Sequence, residues 1–422
     1  MAQEQTEIQF FDKFLFTKIF QSFRIAIHPS KMIIAFMAVA VISILGFVMD
    51  FSKPVVVTSD GSVTELDVYM LNRDAADEFI EMNKDSGART GVYSTMWRFA
   101  AGEFQNSVDS VLDGRFRAVS QSIANYFMAA GWAFRYHFLY SIIFTSFKFV
   151  IICITGGAIC RISALQFALG EKPGITEALK YSTRKFVSFL AAPLAPVAIS
   201  MVLGFFILLL GLFAYIPYAG EILVAVFFIF ALILGIVITI VLILTAAGFN
   251  LMFPALAYDG LDCFDAISRS FNYVYTRPWR MVAYTALAAV YGAICYMFVR
   301  FFAFLLLLVT RFSLGLGLFG KSAQKLEAIW PQPYFQNLSG ILTTSELSGT
   351  EWISAIIINF FVLVILGLIV AFIMSFYFSA NTIIYALLRK KVDNTDLDEV
   401  CQGVLPGNTE QVENPEQAGQ SE

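Results

Sequence analysis

The sequence predicts an all-α membrane protein: six transmembrane helices, amphipathic interfacial helices and a small non-cytoplasmic α+β insertion. Three observations carry this. Of 422 residues, 58% are hydrophobic and only 14% charged, against about 45–50% and about 25% in soluble domains. Mean hydropathy is +0.71. Several apolar runs reach the roughly 20 residues that cross a bilayer as a helix. A disordered chain, a collagen-like chain and an ordinary soluble enzyme are excluded.

Residues 1–31 read as a cytoplasmic amphipathic segment. At about 100° per residue, Phe11, Leu15, Ile19 and Phe23 form one ladder over 8–25, flanked by Phe16 and Phe20. Lys13, Thr17, Gln21 and Arg24 lie opposite. An aromatic face backed by a basic one suits a helix in the headgroup region; a soluble packing helix has a similar pattern. The first span covers 32–50. With no small-residue cleavage site after it, it is expected to be retained as an anchor.

Residues 51–137 form the non-cytoplasmic insertion. Val55–Val57 and Val63–Val68 flank Ser59-Asp60-Gly61-Ser62, and Asp-Gly between β-branched runs predicts a hairpin. A short helix is expected over Ala75–Asn83, and another over 116–137 leading into the second span. Residues 138–390 form a five-helix membrane domain, with apolar runs at 139–160, 188–213, 222–254, 281–310 and 353–388. The last three exceed a bilayer's thickness and must tilt, kink or project. Pro193 and Pro196 lie in the third span, where a bent helix is expected. The Gly- and Ser-rich segment 311–352, with Pro331 and Pro333, reads as an irregular loop. Residues 391–422 form an acidic tail with eight acids and, beyond Lys391, no Lys or Arg. It is expected to be disordered.

Basic residues set the orientation. Lys13, Lys18, Arg24 and Lys31 precede the first span; Arg161, Lys172, Lys180, Arg184 and Lys185 fall in one connection; Arg269, Arg277 and Arg280 in another; Arg389, Lys390 and Lys391 at the end. Six spans place all four groups on one side, so both termini are expected in the cytoplasm. Arg311, Lys321 and Lys325 on the other side reduce the bias without reversing it. Trp132, Arg277, Trp279, Arg280 and Trp352 are the expected membrane-interface anchors, each close to a span end.

Two elbows look related. Gly174-Ile-Thr-Glu177-Ala178-Leu179 leads to Ser182, and Asp262-Cys-Phe-Asp265-Ala266-Ile267 leads to Ser270, at one constant offset. Gly157 with Ala164-Leu165 matches Gly248 with Ala255-Leu256. Each unit reads as span, elbow helix, span, a parallel repeat. Asp262 and Asp265 fit a helix N-cap and its third position. The alternative is a metal site, since Asp259, Asp262 and Asp265 recur every three residues, but oxygen ligands from elsewhere would be required.

Catalytic signatures are missing. Only His28 and His137 are present, on opposite membrane sides in this topology, so they cannot share a site. There is no HExxH helix, P-loop or Rossmann fingerprint. Cys153, Cys160, Cys263, Cys295 and Cys401 form neither a CxxC pair nor a metal spacing. A non-enzyme without a cofactor is expected. Lys148, near the centre of the second span, is the most informative charge: it faces the bundle or a wet cavity, or else snorkels along a tilted helix. Asn359 in the sixth span is a candidate polar partner, and Gly204, Gly211 and Gly235 are expected to permit close helix packing.

The stretch Phe264-Asp265-Ala266-Ile267-Ser268-Arg269-Ser270, with Tyr273-Val274-Tyr275 and Arg277-Pro278-Trp279-Arg280, resembles a group of planctomycete-type bacterial polytopic membrane proteins of uncharacterised activity. Ile27-His28-Pro29-Ser30-Lys31, Gly156-Gly157-Ala158-Ile159-Cys160-Arg161 and Tyr385-Ala386-Leu387-Leu388-Arg389 extend the likeness. The elbow is also similar to the membrane domain fused to some glycerophosphodiester phosphodiesterases, whose catalytic domain this chain lacks. The resemblance implies a multi-pass protein of the bacterial cytoplasmic (inner) membrane. The expected function is a non-enzymatic accessory or scaffold component of the envelope. The alternative is a small-molecule or lipid transporter with a path between the repeat units, lined by Lys148. Expected partners are the lipid bilayer and either another membrane protein or a second copy, with no nucleic acid.

Overall fold

The computed structural model describes residues 15–59, 61–83, 88–216, 218–317, 321–335, 337–338 and 349–401. Six helices are long and apolar enough to cross a membrane, which makes the chain a mainly helical multi-pass membrane protein. A 3-10 turn, Leu15–Phe20, leads into α1 (Gln21–Ala26), and α2 (Pro29–Met49) is the first span. A polar segment then holds β1 (Val55–Val56), α3 (Glu65–Leu71), α4 (Ala75–Asn83), β2 (Arg89–Thr90), α5 (Val92–Leu112) and α6 (Phe116–Tyr136). The second span is α7 (Phe138–Ala168), followed by the elbow α8 (Ile175–Arg184) and spans α9 (Phe186–Leu212) and α10 (Ala219–Asp259). The second elbow is α11 (Cys263–Thr276); α12 (Pro278–Leu316), the short α13 (Lys321–Ile329) and α14 (Gly349–Val392) complete the chain. Proline stands at the first position of α2 and α12, where its missing N–H costs nothing.

The spans are arranged as a ring of three units. Helices α7, α10 and α14 all touch one another at the centre. Helix α2 packs against α7 and α14, α9 against α7 and α10, and α12 against α14. Each elbow lies on a central helix: α8 on α7, α11 on α10 and α1 on α14. The two-unit repeat expected from the sequence is therefore part of a three-unit circuit. The third unit closes it by seating the first elbow on the last span, with Ser375 Oγ donating to the Ala26 carbonyl at 2.7 Å. Ala164-Leu165, Ala255-Leu256 and Ala386-Leu387 hold corresponding buried places on the three central helices.

The elbow contact itself repeats. A Cβ on Gly157 would lie 2.5 Å from Ser182 Oγ, and one on Gly248 would lie 3.6 Å from Ser270 Cβ. A small residue on the central helix thus meets a serine on the elbow in both units. Gly204, Gly211 and Gly235 differ from expectation. Among the described residues no neighbour lies within 4 Å of where their Cβ atoms would be, so no described helix packs tightly onto them.

Several other expectations are corrected. Residues 63–68 are not a strand: Thr64 caps α3 with a full capping box to Asp67, and that local alternative wins over β-propensity. The expected hairpin is reduced to one antiparallel bridge, Val57 with Thr64, closed by Thr58 N–H donating to the Val63 carbonyl at 3.0 Å, while Val55 and Val56 pair with Thr90 and Arg89. Asp60 and residues 8–14 of the N-terminal ladder lie outside the described residues. The described part of that ladder breaks between the 3-10 turn and α1, with Leu15 and Ile19 buried. Segment 311–352 is not wholly irregular, since α12 extends into it and α13 lies within it. Trp132 is no interface anchor. It is fully buried among Leu66, Tyr69 and Val92, because α6 turns its apolar face to the helices of its own segment. Trp279 and Trp352 are exposed beside the span ends, as are Arg277 and Arg280. Asp262 is the N-cap residue of α11 but its side chain makes no capping bond. Asp262 and Asp265 are exposed while Asp259 is enclosed, and no metal-binding group forms among the described residues.

Candidate functional site: an apolar cavity with two cations

Helices α5 and α6 pack side by side and lean against the spans. Between them and α2, α7, α12 and α14 lies a cavity of about 1060 Å³. Its walls are mainly apolar and aromatic: Val39 and Ile42 from α2, Trp97 and Phe104 from α5, Phe127 and Phe134 from α6. Their exposure explains why α5 and α6, helices of modest apolarity, carry Trp97, Phe104 and Phe127 uncovered by protein.

Three charged side chains line this space: Lys148, Arg300 and Glu103. Lys148 is half-buried on α7, and its Nζ donates to Tyr126 Oη at 3.4 Å. Arg300 is tied into the wall. Its Nε and Nη2 donate to the Phe335 carbonyl at 3.2 and 2.9 Å, and its Nη1 to Tyr296 Oη at 2.8 Å and to Gln105 Oε1. Glu103 accepts from Asn125 Nδ2 at 3.3 Å, bridging α5 and α6. Asn359 is not brought to Lys148; the α14 lining runs from Leu366 to Ile373, about two helical turns further along. The cavity lies away from the elbows, and a smaller apolar space of about 230 Å³ lies between α9 and α10, spans of the two repeat units.

A buried carboxylate fixes the cavity wall. Asp50, at the end of the first span, accepts from Tyr93 N–H at 2.9 Å, Ser94 N–H at 2.8 Å, Ser94 Oγ at 2.6 Å and Tyr140 Oη at 2.9 Å. It thus caps α5, where a negative charge meets the positive end of the helix, and joins α2 to α7. Gly91 is required: a Cβ there would fall 1.9 Å from Asp50 Cγ. Burial raises the Tyr93 phenol above its ordinary pKa, with the Asp50 charge adding to it. Glu65 is buried nearby and meets His137 Nε2 at 2.6 Å.

The opposite ends of the central helices are filled with polar links. Asp259 pairs with Arg269 at 2.9 Å and Arg389 at 3.1 Å and accepts from Tyr385 Oη. Arg161 donates to the carbonyls of Ala257 at 3.0 Å and Cys401 at 2.8 Å. Tyr181 stacks under Arg161 and donates to the Leu256 carbonyl at 2.7 Å; burial pushes its phenol up to about 12. Lys31 is completely buried, bonded to Gln166 Oε1 at 2.8 Å and Ser163 Oγ at 3.4 Å. Arginine and lysine counted by orientation alone are here structural ties, because span ends in a ring must satisfy one another's carbonyls.

Sequence reasoning found Lys148 but not its surroundings. Arg300 stands near the end of the apolar run 281–310, and Tyr126, Glu103 and Trp97 stand in a polar segment without a motif. Their signal was the aromatic face of α5 and α6. No family model, curated protein or solved structure matches the chain.

Proposed function

We propose that this chain is a non-enzymatic accessory protein of a bacterial inner membrane whose working site is the outer cavity, where it holds a membrane amphiphile for hand-over. The observation that carries this is a cavity of about 1060 Å³ with apolar walls and two cations. A protein acting only as a scaffold has no use for an apolar, partly open space of this size with charged groups at its wall, whereas concave apolar sites with a few polar groups are the usual form of a ligand site. Kinship with the planctomycete-type group and retention of a transport-like role are part of the same proposal.

The basic residues at the elbow side support cytoplasmic termini, with the elbows lying along the inner interface. The small α+β segment would then stand on the outer side. Lys148 lies 20 residues from Ala168 and Arg300 lies 22 from Pro278, about 30 Å and 33 Å along their helices. One hydrocarbon thickness is about 30 Å, which would put both cations at outer headgroup level.

Extraction in native lipid discs followed by mass spectrometry tests this. A tightly retained amphiphile is expected, and Ala130→Trp, which fills the cavity from α6, should abolish its retention. Equal retention in that variant overturns the reading.

A further inference from the structure

We infer that the guest of the cavity is a two-chain phospholipid with a net negative headgroup, its anionic oxygens against the Lys148 ammonium and its chains along Val39, Ile42, Ile369 and Ile373. This rests on the amphiphile reading above and adds the charge and chain number of the guest.

The electrostatics of the lining carry it. Two cations face one anion there. Arg300 spends its donors on Tyr296, Gln105 and Phe335, and Glu103 is engaged by Asn125. Lys148 is different. An ammonium has three N–H donors, and among the described residues its one hydrogen bond is the long contact of 3.4 Å to Tyr126. A cation so placed against an apolar wall is costly until an anion meets it, and ammonium-to-oxyanion bonds of about 2.7–2.9 Å are the strong ones. The volume of about 1060 Å³ stands at the upper limit of the roughly 300–1,000 Å³ typical of small-molecule sites. That suits two acyl chains better than a compact solute. The apolar residues of α2 and α14 continue the cavity along the spans, so chains directed into the membrane meet hydrocarbon-like surface while the headgroup stays with Lys148.

The test is competitive lipid retention. The purified full-length protein is equilibrated with discs of equimolar phosphatidylglycerol and phosphatidylcholine, washed in mild detergent, and its bound lipid quantified. Both lipids offer a phosphate oxyanion to Lys148, but the choline ammonium adds a cation beside a lining that is already net positive. Wild type should therefore retain phosphatidylglycerol over phosphatidylcholine by about fivefold, the ratio that a repulsion of about 1 kcal/mol supplies. Lys148→Gln should bring the ratio near one, and Lys148→Arg should restore it. If wild type shows no preference while Ala130→Trp still expels both lipids, the charge inference fails and the cavity reading stands. If Ala130→Trp expels neither, the cavity reading itself fails. Should Lys148→Gln not fold, the wild-type ratio at low and high salt decides: a preference that salt leaves unchanged overturns the role of Lys148, because a partly exposed ion contact weakens with screening.

Discussion

Arg389 sets its Nε 3.1 Å from Asp259 Oδ1, with the two side chains only 10% and 6% exposed. The pair joins two of the three central helices where the chain leaves the bundle, and Arg269 of the second elbow shares the same carboxylate. A fully stranded buried charge costs about 3–5 kcal/mol; here Asp259 keeps Arg269 and Tyr385, so the loss falls below that range. Arg389→Met should still lower the melting temperature of the detergent-solubilised protein measurably. Adding Asp259→Asn should cost much less than a second full penalty, and additive losses in that double variant would show that the two groups are not coupled.

The two elbow contacts should respond unequally to one methyl group. At Gly157 a Cβ meets Ser182 Oγ at 2.5 Å and the Phe189 ring at 2.8 Å; at Gly248 its nearest neighbour is at 3.5 Å. Gly157→Ala should destabilise by about 1–3 kcal/mol as an overpacked site. Gly248→Ala should be neutral or slightly stabilising, because alanine favours the helix. Thermal unfolding of the two variants decides, and equal shifts would contradict the close approach.

Asp50 predicts a local rather than a global defect. Asp50→Ala removes four hydrogen bonds, three that fasten α5 to the end of the first span and one that fastens α7 there. Orphaned buried donors cost about 1–3 kcal/mol each when left unmade. Limited proteolysis should cut segment 51–137 at least tenfold faster in this variant while the spans stay protected. Uniform cleavage along the chain would mean that Asp50 supports the whole fold.

His28 gives a pH dependence of defined sign. Burial lowers its pKa, and the charges of Lys31 and Lys172 lower it further. Its folded value is thus below the unfolded value of about 6.5. Above that value both states are neutral and the residue contributes nothing to the pH dependence. As pH falls through it, the unfolded state binds a proton first and stability is lost until the folded pKa is passed. Wild type should lose more thermal stability between pH 8 and pH 5 than His28→Asn.

The proposed orientation is open to labelling. Glu81 and Asp396 are both exposed on soluble segments. In a background lacking the native cysteines, Glu81→Cys should react with an impermeant maleimide on spheroplasts, and Asp396→Cys only after lysis. The reverse pattern would invert the topology.

Composition and run length made the six spans legible, because a bilayer demands apolar length more than it demands particular residues. The elbow repeat was legible for the same kind of reason: Ala178 and Ser182, like Ala266 and Ser270, keep the spacing of one buried helix face. The third unit was hidden, since α1 belongs with a helix some 350 positions later and shares few identities with α8 or α11. Segment 51–137 misled at Val63–Val68 and Trp132. There a capping box and a private hydrophobic cluster decide the structure, and neither is visible in propensity or in distance from a span. Lys148 stood out because a charge inside an apolar run is costly. Its partner Tyr126 came from a segment whose signal, the aromatic face of α5 and α6, belongs to no motif.

The first elbow finds its seat on the final span, and the bond between Ser375 and Ala26 bridges 349 positions. At synthesis rates of about 5–20 residues per second, roughly 20–70 s separate the emergence of the two partners. For that interval the nascent first elbow lacks its main seat and has only its smaller contacts with α7 and α12 to rest on, and the ring stays open on one side. Nascent chains released before α14 should thus be incomplete at both ends at once, and quality-control proteases would meet the same exposed first elbow on every unfinished molecule.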